Sequence, residues 1–286
     1  MLVLSAVSAV LLAVPASAKR VVRPFSPVEK LVLAETVVIG KVTAIEKDTV
    51  NTAPAPGAEK VAHQIAVIKV ESGLVGAANV THIKVGFVPP ARGEPPAIGP
   101  GRFGGGFGPV VLTEGLEGLF YLTRHHTGEF YTAPAMLTPA TTGDAGYKGE
   151  VAFVKKAAVV LADPVKALKA DKADARAFAA AVLARKYGSY PISGGAFETE
   201  KVSREESALI LKALAEGDWT IDPTDVNELN GYRTFGQLRL TDADGWKPPV
   251  VKAGENHVEK TKEAFVAWLA GPGKDHQVRK FVPKKK

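Results

Sequence analysis

Apolar and polar positions alternate through the first half of the chain and recur at helical spacing through the second. The run Thr36 to Glu46 reads as the first strand, with Gly40 inside it where glycine marks a bulge or sharp bend. Val61 to Glu71 reads as a second strand and Gly73 to Asn79 as the turn after it. A third, Thr81 to Val88, places Ile83, Val85 and Phe87 on one face and His82, Lys84 and Gly86 on the other. Gly118 to Arg124 and Glu129 to Thr132 read as strands four and five, joined by a hairpin turn at Thr127-Gly128. Ahead of them, Val28, Leu31 and Val32 have the spacing of a short helix over Val28 to Ala34.

Beyond Pro139 the period changes. Thr141 to Gly146 is linker-like, and alanine and lysine become frequent. Asp163-Pro164 is an N-cap followed by proline at the first helical position, and a helix starting there continues or restarts over Ala173 to Tyr187. Ser203-Arg-Glu-Glu206 is a capping-box pattern opening a helix that Gly217 closes, with Leu209, Leu211 and Leu214 as its apolar positions. Asp218 to Pro249 is mixed, with turns at Asp222-Pro223, Asn230-Gly231 and Asp244-Gly245. Val258 to Ala270 is amphipathic, with Val258, Lys262, Phe265, Val266 and Leu269 to one side.

Residues 89–109 interrupt the strand series with proline and glycine, which remove donors and raise the entropy of ordering. A long loop is expected. It is either a segment without a role or a partner-binding insertion whose anchors are Arg92, Arg102, Phe103 and Phe107.

The order of short helix, Ala34-Glu-Thr-Val-Val-Ile-Gly-Lys-Val, Ile65-Ala-Val-Ile-Lys-Val-Glu-Ser-Gly-Leu-Val-Gly76, Ile83-Lys-Val and Glu114-Gly-Leu-Glu-Gly-Leu-Phe-Tyr-Leu122 resembles the netrin and metalloproteinase-inhibitor (NTR, TIMP-like) domains over residues 28–135. The resemblance implies a five-stranded OB-like β-barrel whose long loops bind another macromolecule. The animal inhibitors reach their target's zinc through an N-terminal cysteine. This chain has no cysteine, so that mechanism does not carry over. The expected fold class is therefore α+β: an OB-like barrel over 28–138, followed by a mainly α-helical domain over 150–286.

Composition narrows the setting. With 286 residues, 46% of them hydrophobic, the chain can bury a substantial core. Leu2 to Val14 is an apolar run ending in Pro15-Ala16-Ser17-Ala18, which reads as a signal peptide (1–18) cleaved after Ala18, although no basic residue precedes it. No later stretch has the length and hydropathy of a membrane span. Export without any cysteine suits a bacterial envelope, periplasmic or extracellular, better than a small disulfide-rich secreted module. The formal charge of +6 is scattered, apart from Arg279-Lys280 and Lys284 to Lys286, which read as a solvated, frayed end. A nucleic-acid role is disfavoured by the leader and by the lack of an aromatic-basic strand face.

Candidate chemistry stays below the level of a site. Gly99-x-Gly101-x-x-Gly104 matches a dinucleotide fingerprint in spacing, but Gly105 to Pro109 follows where a helix must begin. Asp242-x-Asp244-Gly245 lacks the glutamate a calcium loop needs, because the twelfth residue is Ala253; it reads as a tight turn. Adjacent His125 and His126, read as strand residues, point to opposite faces; His63, His82 and one of that pair could converge from neighbouring strands, but a surface or hydrogen-bonded role is the expected one. No catalytic residue, metal ligand or cofactor is assigned. The expectation is an exported, non-enzymatic binding protein that contacts a protein partner through barrel loops. The alternatives are a hydrolase or other enzyme with its site between the two halves, and a binder of an anionic envelope polymer.

Overall fold

Ser26 caps α1 (Pro27–Leu33): its hydroxyl accepts from Glu29 N while the Glu29 carboxylate accepts from Ser26 N. The computed structural model describes residues 24–89, 110–192, 196–227 and 229–284; the expected signal peptide lies outside them. Along the chain follow β1 (Thr36–Thr52), β2 (Val61–Val75), β3 (His82–Phe87), β4 (Glu117–Arg124), β5 (Tyr131–Thr132) and β6 (Ala140–Thr141). After these come α2 (Tyr147–Ala162), α3 (Pro164–Leu168), α4 (Ala173–Tyr187) and β7 (Phe197–Lys201). The chain ends with α5 (Arg204–Glu216), α6 (Gly231–Leu238), α7 (His257–Ala270) and β8 (Arg279–Pro283). The protein is an α+β mixture.

The first sheet returns on itself. β1, β2 and β3 form an antiparallel meander, β3 runs parallel to β5, β5 is antiparallel to β4, and β4 pairs back onto β1. The hydrogen-bonded order β1-β2-β3-β5-β4 thus closes into a ring, with β6 added along β4. β1 serves both neighbours because it bends: its register with β2 slips between Ile39 and Gly40 and again beyond Val42. Gly40 is required there, since a Cβ would lie 2.4 Å from the Lys69 carbonyl oxygen.

Strand alternation sorts side chains into two cores. Val38, Val42, Ile68, Val85, Phe120 and Leu122 pack inside the ring. Val37, Leu119 and Tyr121 point outward and join Leu31, Val154, Leu183, Ile210, Leu214 and Phe265 in one continuous cluster with the helices. β4 is therefore buried on both faces, which explains its uninterrupted apolar run from Leu119 to Leu122.

Several elements differ from the sequence reading. α2 follows the linker-like stretch 141–146, where no helix is expected from the sequence; its N-cap is Gly146, without a side-chain cap, so no start signal marks it. α6 lies in the stretch expected to be mixed and starts at the expected Asn230-Gly231 turn, where the Asn230 side chain caps it on Arg233 N. Residues 279–283 are not a frayed end. They form β8 and pair with β7, and Arg279 holds Asp244 at 2.5 Å. α7 is rotated from its expected orientation, burying Thr261, Phe265 and Trp268 and leaving Val266 exposed. The Ser203 hydroxyl caps α5, but the Glu206 carboxylate accepts from the Tyr187 hydroxyl instead of closing a capping box. Asp242–Asp244 is a tight 3₁₀ turn, as its sequence indicates. Among the described residues, no helix is long and apolar enough to cross a membrane.

Candidate functional site

One end of the ring gathers three chain segments. The β1–β2 connection, residues 53–60, is exposed beyond Ala53 and turns through Gly57 at φ 83°. Residues 125–130 form the β4–β5 turn, with Gly128 at φ 81° and His125 N donating to Phe130 O. The third segment is the end of β3, where Gln64 pairs with Phe87 and Val88 continues outward, 42% exposed.

Histidines clasp these segments together. The β4–β5 turn begins after Arg124, so His125 and His126 are not strand residues and do not diverge as the sequence reading expected. Both send Nε2 to the same acceptor, the Ala53 carbonyl oxygen, at 3.0 and 2.8 Å. The other nitrogen of His125 accepts from Thr127 N at 3.3 Å and lies 2.9 Å from the Thr127 hydroxyl. That pattern fits a neutral imidazole with its proton on Nε2. His125 also stacks on Phe130 with centroids 4.5 Å apart, and His63 meets Phe130 at 5.6 Å and His125 at 5.7 Å. His63 sends Nδ1 to Val61 O at 3.1 Å. His82 stays apart, exposed against Thr81. Burial pushes the His125 pKa down, against the Ala53 hydrogen bond that supports its charged form; His126 and His63 push the same way as burial. With both nitrogens committed, His125 serves as a strut. Among the described residues, no group of three or more His, Cys, Asp or Glu is placed to hold a metal ion.

Phe130 can approach β3 because Gly86 lies beneath it: a Cβ there would meet the ring at 2.3 Å. The exposed surface above this clasp consists of residues 54–60, His126 to Glu129 and Val88-Pro89. Val110 and Leu112 pack inside the ring in the cluster that holds Phe87. Arg92, Arg102, Phe103 and Phe107 lie outside the described residues.

The seam between ring and helices is occupied by a buried polar trio. Lys30 pairs with Glu150, lies 4.8 Å from the centroid of the Tyr121 ring and donates to Thr138 O at 3.4 Å. Tyr121 donates to Glu150 at 2.7 Å, and burial with the adjacent carboxylate pushes its hydroxyl pKa far up. Nearby, Lys186 donates to Val32 O at 2.7 Å, and burial pushes its pKa down. A cavity of about 430 Å³ lies instead between α3, α4 and α5. The cations on its wall are countered: Lys169 by Glu205, Arg176 by Glu216.

A second surface lies on the β7–β8 ribbon. Tyr190 and Phe197 are 49% and 48% exposed, and both contact the Phe281 ring. Arg239, at φ 52°, carries its guanidinium over Tyr190 and Phe281 while donating to Gly188 O at 2.6 Å. Sequence reasoning missed this group because its members come from four separate segments. No family model, curated protein or solved structure matches this chain.

Proposed function

We propose that this chain is an exported, non-enzymatic binding protein of a bacterial cell envelope, holding a protein partner on the loop end of an OB-type barrel. The observation that carries the reading is the histidine clasp, in which His125 and His126 fix the β1–β2 connection against the β4–β5 turn through one carbonyl oxygen. Loops tied to each other in advance lose less entropy on binding, so such a clasp serves recognition. The strand order β1-β2-β3-β5-β4, with β3 parallel to β5, supports the OB assignment and agrees with the sequence resemblance to NTR domains. OB-type barrels present ligands to loops and one strand face, which is where the exposed segments gather here. The leader-like Leu2 to Ala18 supports export.

Photo-crosslinking tests the reading. A benzoylphenylalanine placed at Ala55 or Glu129 in cells is expected to trap one discrete protein, which the same probe at Glu263 on α7 does not trap. Silence at both loop positions, with adducts elsewhere, would remove the loop end as the binding site.

A further inference from the structure

We propose that the outer edge of β7 is a second docking site, which takes an extended peptide strand bearing Lys or Arg at every second position. β7 has all five residues exposed and pairs only with β8 among the described residues. Lys284 N donates to Ala196 O and Val202 N to Val278 O, which places Glu198 and Glu200 in the pairs that bond across to β8. The N–H and C=O groups of Phe197, Thr199 and Lys201 therefore point away from β8, along an edge that pairs with no strand among the described residues.

Charge selects the occupant. A strand added to this edge would face Glu198 and Glu200 in non-hydrogen-bonded pairs, where side chains approach most closely. Glu200 faces Lys280 across the ribbon in an exposed ion pair at 3.4 Å, whereas no ion pair holds Glu198 among the described residues. A second copy of β7 would set carboxylate against carboxylate on this face in any register that brings the two acidic faces together, so self-pairing is opposed. A basic strand gains an ion pair at Glu198 and shares the Glu200 carboxylate with Lys280. On the opposite face, Phe197 adjoins Tyr190, giving an aromatic rim for the residues between the cations.

Amide hydrogen exchange on the full chain tests this, with acetyl-Val-Lys-Val-Lys-Val-amide and acetyl-Val-Glu-Val-Glu-Val-amide as probes. The lysine peptide is expected to slow exchange at Phe197, Thr199 and Lys201 and to bind roughly tenfold more tightly than the glutamate peptide. Thr199→Pro removes an outward N–H without breaking a β7–β8 bond and is expected to abolish the protection. Should that variant disturb the ribbon, the double substitution Glu198→Lys/Glu200→Lys is expected to reverse the preference between the peptides. No slowing with either peptide, equal slowing with both, or slowing that depends only on protein concentration would each overturn the proposal, the last by making the edge a self-association site.

Discussion

The Tyr121 hydroxyl donates a 2.7 Å hydrogen bond to the Glu150 carboxylate, joining the outward face of the ring strand β4 to helix α2. Lys30, from α1, completes the contact by pairing with the same carboxylate. Three elements thus meet on one buried charge, and its compensation decides how firmly ring and helices hold together.

Removing either partner is expected to be costly in different degrees. Lys30→Met leaves Glu150 buried beside a tyrosine hydroxyl and is expected to cost about 3 kcal/mol. Tyr121→Phe removes one donor and is expected to cost about 1–2 kcal/mol. Lys30→Met/Glu150→Leu is expected to be more stable than Lys30→Met alone, because no charge is left uncompensated. Urea midpoints measured for the three variants check the order.

Acidification is expected to destabilise the fold from near pH 6.5. Burial lowers the folded-state pKa of both His125 and His276 below their ordinary 6.5, the latter despite the carboxylate of Asp244. The unfolded chain then binds more protons, so the stability is fully present above the unfolded value and is lost as pH falls below it. His125→Asn is expected to flatten the slope of stability between pH 7.5 and 5.5. A wild-type protein that grows more stable over that interval would contradict the assignment.

Gly86→Ala is expected to disturb the histidine clasp from beneath. The new methyl group meets the Phe130 ring at 2.3 Å, so the ring must shift, at a cost of about 1–3 kcal/mol. Because Phe130 stacks on His125, the His63 and His125 ring signals are expected to move in NMR spectra while those of His257 stay in place.

Phe265→Ala is expected to cost about 3–5 kcal/mol. The ring is fully buried and contacts Trp219, Phe235 and Trp268 at centroid distances of 5.5–5.7 Å, so it links α7 to α6 and to the segment after α5. Thermal unfolding followed by tryptophan fluorescence reads both the loss and the loosened indole environment.

Local signals were legible wherever the chain's own neighbours supply the physics. Asp163 caps α3 on Lys166 N and Ser203 caps α5 on Glu206 N, as their sequence contexts indicate. Gly128 takes the positive φ expected of its turn, and β3 alternates over nearly the residues its pattern marks. α2 escaped because a helix without a capping side chain, with buried alanines and an exposed Val159, carries no clean period. The histidine clasp escaped because the turn begins at His125, two residues before Thr127-Gly128, and both imidazoles reach one acceptor.

The sequence by itself determined β1 to β5, the helices α3, α4, α5 and α7 of the second half, and the caps of α3 and α5. These depend on side-chain period and on hydrogen bonds within a few residues. Only the tertiary structure decided that β5 closes the ring between β3 and β4 and that the outward face of β4 shares its core with the helices. It also decided that residues 279–283 pair with residues 197–201 across about eighty positions. Such pairings carry no local pattern, because the groups they satisfy are identical along every backbone and burial alone selects among them.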